Sequence, residues 1–108
     1  MTGKRRGDAH RMLLRALGER ARCGGEAEIL AANSEAWASA TFRGARHRLT
    51  LQLGGNDAGD RAAKLAEELD AIEFQLPGHL VADITLTSRR ETAAGVAMEI
   101  EALTVEDA

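Results

Sequence analysis

Two segments of the chain place apolar residues at the three- and four-residue spacing of a single helix face. The first runs from Asp8 to Arg22, with Asp8 in the position of an N-terminal cap. The second follows the sequence GGNDAGD, where Asp57 or Asp60 can cap it. The pattern predicts two amphipathic helices, whose apolar faces comprise Ala9, Leu13, Ala16 and Leu17 in the first and Ala62, Leu65, Ala66, Leu69 and Ile72 in the second.

After each helix, apolar and polar residues alternate with the two-residue period of a β-strand. Leu49, Leu51 and Leu53 share one face of such a segment. Turn signals divide each alternating region into two arms, which predicts two hairpins. Their arms span residues 26–42 and 47–53 around a turn at 43–45, and residues 79–88 and 96–105 around a turn at 89–95.

The order of elements is helix, strand, strand, helix, strand, strand, and the two halves superimpose at an offset of roughly 52 residues. The superposition places Leu17 on Leu69, Ile29 on Val81, Leu51 on Leu103 and Leu53 on Val105. Two such helix-strand-strand units predict an α+β fold with a four-stranded antiparallel sheet and both helices on one face, a circularly permuted ferredoxin-like arrangement. The second strand of each hairpin is then central, and the segments Ala27–Phe42 and His79–Ser88 form the edges.

The other face of this sheet is left without a helix. We expect a largely polar set of residues there: Arg48, Thr50, Gln52, Val81, Asp83, Thr85, Glu99 and Glu101. Near the chain end the alternation slips, because Leu103 and Val105 have the opposite parity to Met98 and Ile100. Either a bulge returns them to the core, or the open face carries an apolar patch.

Length and composition favour one folded domain. The 108 residues are 44% hydrophobic, with 29% charged residues and a single proline, which is typical of a globular chain. We expect residues 8–108 to form a single α+β domain and residues 1–7 to be a flexible tail. The segment RMLLRALGER is interrupted by arginines, and no apolar run approaches the ~20 residues of a membrane span. We therefore expect a soluble, cytoplasmic protein without membrane association.

Charge is divided unevenly along the chain. Residues 1–48 carry ten basic and five acidic side chains, whereas residues 49–108 carry four basic and twelve acidic ones. This asymmetry suits self-association or an acidic partner. The overall net charge of −3 argues against nucleic acid as the default partner. Cys23 is the only cysteine, which excludes an intrachain disulfide and a multi-cysteine metal site.

The most distinctive stretch is WASATFRGARHRLTLQL, residues 37–53. Its arginines at Arg43, Arg46 and Arg48 flank a glycine-containing connection, which indicates either a hairpin tip with solvated arginines or a grip for nucleic acid or a small anion. The predicted central strands contain no aromatic residue on which a base could stack. Trp37, the only tryptophan, is typical of a core or interface anchor.

Candidate catalytic groups are few. His10, His47 and His79 are possible acid-base residues, but none stands in a paired metal or nucleophile motif. The predicted open face could gather His79, Asp83, Glu99 and Glu101 into a metal or acid-base site, although carboxylates on a strand face are commonly solvated.

These observations predict a small non-catalytic protein-protein interaction or regulatory module that forms a homodimer or binds a protein partner. Its predicted contact residues are Trp37, Arg43, Arg46, Arg48, Leu103 and Val105. One alternative is a nucleic-acid or small-anion binder acting through the Arg43 to Arg48 hairpin. A second alternative is an enzyme or metal site on the open sheet face. No catalytic residue, metal ligand or cofactor site is predicted.

Overall fold

The computed structural model of the protein describes residues 8–107. In chain order its elements are α1 (Ala9–Arg22), β1 (Ala27–Ala38), β2 (Arg43–Gly54), α2 (Ala58–Glu68), a 3-10 turn (Leu69–Ala71), β3 (His79–Thr92) and β4 (Gly95–Glu106). The four strands form one antiparallel sheet in the order β1-β2-β4-β3. The α+β arrangement and the central position of each hairpin's second strand are confirmed. The tail predicted at residues 1–7 lies outside the described residues.

Both helices begin where the sequence predicts. The Asp8 side chain accepts a hydrogen bond from the His10 backbone N–H at 3.0 Å and so satisfies one unpaired amide of the first turn of α1. Asp57 occupies the corresponding position before α2, although its side chain makes no capping hydrogen bond. The buried faces of the two helices meet the sheet in one core cluster, which includes Leu13, Leu17, Ala62, Leu65, Leu51, Met98 and Ile100.

Arg61 ties the end of α1 to the sheet. Its guanidinium donates to the backbone oxygens of Ala21 at 2.8 Å, Gly54 at 2.9 Å and Glu26 at 3.0 Å. The Ala21 carbonyl belongs to the last turn of α1, where a positive charge also complements the helix dipole. One partly buried arginine therefore joins α1, β2 and the entry to β1.

The pairing of the central strands decides which residues face the core. Leu49, Leu51 and Leu53 of β2 lie opposite Ile100, Met98 and Val96 of β4, and their register is continuous over the whole ladder. Because no bulge interrupts this ladder, Leu103 and Val105 lie on the open face, which resolves the two alternatives in favour of the apolar patch. The predicted superposition of Leu51 on Leu103 and of Leu53 on Val105 is wrong, since these pairs lie on opposite faces.

A bulge in β3 reverses the faces that were predicted for Leu80 and Val81. The register of β3 against β4 shifts between Val81 and Asp83, so one extra residue enters the strand and the alternation reverses. Val81, predicted on the open face, packs against the core, whereas Leu80 is 57% exposed on the open face. The register of β1 also shifts, between Ile29 and Ala31. The β1 bulge and this first β3 bulge fall at equivalent places in the two halves, which supports the predicted repeat of the outer strands, whereas a second shift in β3, between Leu86 and Ser88, has no counterpart in β1.

The first hairpin turns earlier than predicted. Residues 39–42 form the turn, in which the Ser39 hydroxyl lies within hydrogen-bond distance of the backbone N–H groups of Thr41 and Phe42. Arg43 already belongs to β2, so the turn predicted at 43–45 is wrong. Gly44 serves close packing instead, because a Cβ at this position would collide with the Thr104 carbonyl oxygen. The second turn is also shorter than predicted and comprises residues 93–94.

Candidate functional sites: a histidine cluster and an open sheet face

All three histidines of the chain lie near one end of the core face, where His10 contacts His47 and His79 is close enough to influence the charge of His47. His10 is the second residue of α1, His47 lies on the core face of β2, and His79 begins β3. Thr104 of β4 lies among them as a fully buried hydroxyl. We call these four residues the histidine cluster; it replaces the aliphatic side chains that fill the rest of the core.

The rings of His10 and His47 meet edge to edge. Their Nδ1 atoms are 3.0 Å apart, their planes differ by 7° and their centroids are 5.2 Å apart. Because the centroids are farther apart than the nitrogens, the two Nδ1 atoms lie between the rings. Each neutral imidazole has one N–H donor and one acceptor nitrogen, so the short contact requires one Nδ1 to donate and the other to accept. The two rings therefore share a single proton along this contact.

The hydrogen-bond chain continues from His47 into β4. The Nε2 atom of His47 lies 2.9 Å from the Thr104 hydroxyl, which is 3.5 Å from the backbone oxygen of Ala45. A hydroxyl can donate or accept, so Thr104 matches either tautomer of His47. Both ring nitrogens of this buried histidine are thereby satisfied.

Burial sets the charge state of the pair. His47 is 1% exposed, and desolvation lowers its pKa from 6.5 to about 4. Desolvation is the largest cause of this lowering of the pKa; the nearby imidazoles of His10 and His79 contribute to it, whereas the Asp8 carboxylate opposes it. His47 is therefore neutral at physiological pH.

The donor set does not form a metal centre. Within residues 8–107 no group of three or more histidine, cysteine, aspartate or glutamate side chains is placed to hold a metal ion. The His10 and His47 pair offers two imidazoles, whereas zinc sites in proteins use three or four protein ligands. The arrangement suits proton sharing better than metal binding.

The site predicted from His79, Asp83, Glu99 and Glu101 is not assembled. The bulge between Val81 and Asp83 turns His79 to the core face, opposite the three carboxylates. On the open face, Glu101 is 3.2 Å from Arg48, and Glu99 is 3.6 Å from Arg90. The carboxylates are thus neighbours of arginines rather than of a histidine.

The open face carries an apolar row at the same end of the sheet as the histidine cluster. Trp37 of β1 pairs with Gly44 of β2, Gly44 pairs with Val105 of β4, and Val105 pairs with Leu80 of β3. Leu103 lies beside this line, between Arg46 and Asp83. We call Trp37, Leu80, Leu103 and Val105 the apolar row. It crosses all four strands on a face without a helix.

Trp37 lies close over the glycine in this row. A Cβ placed on Gly44 would be 3.0 Å from the Trp37 indole Nε1, so the absence of a side chain there lets the ring approach the sheet. Among residues 8–107, three buried side-chain nitrogens have no hydrogen-bond partner: Trp37 Nε1 and both ring nitrogens of His79. All three belong to the end of the sheet that carries the apolar row and the histidine cluster.

Five of the six predicted contact residues share the open face. Arg46 and Arg48 alternate along β2 with the core residues and lie on the same side as Trp37, Leu103 and Val105. Arg43 has the opposite parity and does not share their face. The structure thus places these five residues on one surface, to which Arg43 does not belong.

Each of the three histidines was identified from the sequence as a candidate acid-base residue, but their proximity in the fold was not predicted. Two local signals were present: His10 stands three residues before Leu13, on the buried side of α1, and His47 shares the face of Leu49 in β2. A histidine at a core position needs a polar partner. The identity of that partner depended on a contact across 37 positions of sequence, which periodicity does not encode.

Comparison with protein-family models, curated proteins and solved structures finds no match to this chain. Neither helix within residues 8–107 is long and apolar enough to cross a membrane.

Proposed function

We propose that this protein is a non-catalytic interaction module that forms a homodimer through its open sheet face. The observation that carries this proposal is the apolar row, which spans four strands and includes a leucine, Leu80, that is 57% exposed. A contiguous apolar surface on a protein is typical of an interaction site. Tryptophan is enriched at the centres of such interfaces because it buries a large rigid ring.

Burial of the apolar row would supply the driving force for association. Removal of apolar surface from water contributes about 25 cal/mol per Å². Trp37, Leu103 and Val105 are partly exposed beside Leu80, so each has surface left to bury. A second sheet packed against this face would also cover the flat surface that the helices leave open.

The charges beside the row favour a second copy of the chain as the occupant. On the open face Arg46 pairs across strands with Glu35 and with Leu103, and Arg48 is 3.2 Å from Glu101. Arginines and carboxylates thus alternate, so the surface as a whole does not repel itself. Twofold symmetry brings the same patch of both copies together and repeats each contact.

The nucleic-acid alternative has weaker support. Arg48 is neutralised by Glu101, and no aromatic side chain of β2 or β4 is available for stacking. A phosphate backbone would also meet the carboxylates of Glu35, Asp83 and Glu99 on the same face.

The test is size exclusion coupled to light scattering at micromolar concentration. We expect a wild-type dimer that Leu80→Arg, Leu103→Arg or Val105→Arg weakens. Leu30→Arg is the matched control, because Leu30 is 53% exposed and also lies at a bulge in an edge strand, away from the apolar row. A monomeric wild type would refute the proposal. A dimer that only Leu30→Arg weakens would instead place the interface on the β1 edge.

A further inference from the structure

We propose that His10 and His47 form an acid-sensitive latch, in which a shared proton holds the first turn of α1 on the sheet and protonation of both imidazoles releases it. The latch is independent of the homodimer, because it lies on the core face of the sheet. It depends on the 3.0 Å contact between the two Nδ1 atoms and on the burial of His47.

One proton fits the contact and two do not. With one proton between the rings, either ring can donate while the other accepts, and Thr104 adapts to both arrangements. A single added proton leaves the contact intact, because the ring that stays neutral can carry its N–H on Nε2 and accept at Nδ1 from the imidazolium. When both rings are imidazolium ions, both Nδ1 atoms carry N–H groups, which would face each other at 3.0 Å without an acceptor. The rings would also both be positively charged, so the contact would have to open.

The surroundings of the pair give little compensation for a second positive charge. The charged and titratable groups that act on His47 are Asp8 and His10 from α1 and His79 from β3, while β4 presents the neutral Thr104 hydroxyl. Of these only Asp8 favours the protonated form. The Asp8 carboxylate already accepts the backbone N–H of His10.

The direction of the pH effect follows from the pKa of His47. Folding lowers this pKa from 6.5 to about 4, so the open state binds more protons than the closed state. The contribution of the neutral histidine to stability is fully present above about pH 6.5 and is lost as the pH falls toward 4. If opening restores the ordinary pKa, the opening equilibrium rises roughly 30-fold between pH 7.5 and pH 5.

Release should be confined to the start of α1. His10 links the first turn to the sheet by a hydrogen bond between side chains, and Ala9 and Met12 add small apolar contacts there. The later turns are held by the buried Leu13 and Leu17 and by Arg61 at Ala21. Helix ends open at lower free energy than core segments. Acid should therefore free the first turn before the rest of the helix.

Hydrogen exchange followed by mass spectrometry tests the latch on the full chain. We expect exchange of the amides that close the first turn of α1, beginning with the Met12 N–H bonded to the Asp8 backbone oxygen, to rise roughly 30-fold relative to α2 between pH 7.5 and pH 5. The reference to α2 removes the intrinsic pH dependence of exchange. Equal changes in both helices down to pH 4.5 would overturn the proposal.

Two variants test which histidines are responsible for the acid response. His10→Ala should free the first turn of α1 already at pH 7.5, because it removes the helix side of the contact while leaving His47 in place. His79→Gln is the matched control, since His79 belongs to the same cluster but not to the shared contact, and it should keep the acid response. An acid response that persists unchanged in His10→Ala, or that disappears in His79→Gln, would refute the assignment to the His10 and His47 pair.

Discussion

The two ends of the sheet distribute polar and apolar residues in opposite ways. At the conventional end, the pairs Leu51 with Met98 and Leu53 with Val96 face the core. At the inverted end, His47 and Thr104 are buried inside, while Leu103 and Val105 lie on the open face. Both ends belong to the same two continuous strands, so the difference arises from side chains alone. Proteins depart from the usual pattern mainly at functional or strained sites, and both candidate sites lie at the inverted end.

The two ends also differ in the chemistry of their buried polar contacts. Arg61 holds the conventional end through hydrogen bonds to three backbone oxygens, and arginine side chains are not deprotonated in proteins. His47 holds the inverted end through ring nitrogens whose charge changes with pH. The conventional end is therefore a fixed support, whereas the inverted end can respond to acid.

The largest expected effect is at the conventional end. Leu51 is fully buried between β4 and the helices, so Leu51→Ala leaves a cavity and should lower the free energy of unfolding by about 2 to 5 kcal/mol. Urea denaturation at pH 7.5 measures this loss. A decrease below about 1 kcal/mol would show that the site collapses around the smaller side chain and that the conventional end is less tightly packed than its burial indicates.

The helices and the conventional end could be predicted from the sequence because periodicity reports directly on burial. The faces of α1 and α2, the central strands and the parity of Leu103 all followed from spacings of two, three or four residues. A bulge adds one residue without a compositional signal, so the reversal at Ala82 that exposes Leu80 was not predictable. The turn was misplaced because Gly44 was interpreted as a turn residue, whereas the structure requires it for close packing against Thr104.

The histidine cluster lay beyond prediction for a different reason. Its contacts join α1, β2 and β4, and each contact needs the three-dimensional register of the sheet to be known. Two of the four residues of the apolar row could be predicted, because the change of parity at Leu103 and Val105 indicated that they face away from the core. Its other members, Trp37 and Leu80, reach the open face through bulges in the edge strands.

The second-largest expected effect is a loss of stability at acid pH that arises at the inverted end. The double change His47→Leu with Thr104→Val replaces the buried His47–Thr104 pair by apolar groups, which can be nearly neutral for stability, and leaves only the half-buried His10 ring to bond water. Wild-type protein should lose about 2 kcal/mol through His47 between pH 7.5 and pH 5, because its pKa falls from 6.5 to about 4 on folding. We expect the double variant to lack this loss when denaturation curves are compared at the two pH values.

Arg61→Met is the matched control for that measurement. It removes the donors at the conventional end, so it should destabilise the protein by a similar amount at pH 7.5 and at pH 5 and leave the wild-type acid loss intact. If the double variant at His47 and Thr104 retained the full acid loss, the acid sensitivity would have to reside elsewhere than at the inverted end.

The smallest expected effect concerns the arginines of β2. Arg48 lies 3.2 Å from Glu101, but their side chains are 70% and 48% exposed, and exposed ion pairs contribute only about 0 to 1 kcal/mol. Arg43 and Arg46 are exposed as well. Replacing all three arginines with serine should therefore change the unfolding free energy far less than Leu51→Ala does. A fluorescence titration with a short nucleic acid at two salt concentrations runs beside the denaturation curves. Binding through phosphate contacts weakens steeply as salt rises. Tight, salt-sensitive binding that the triple change abolishes would therefore show that the open face binds anions rather than a second copy of the chain.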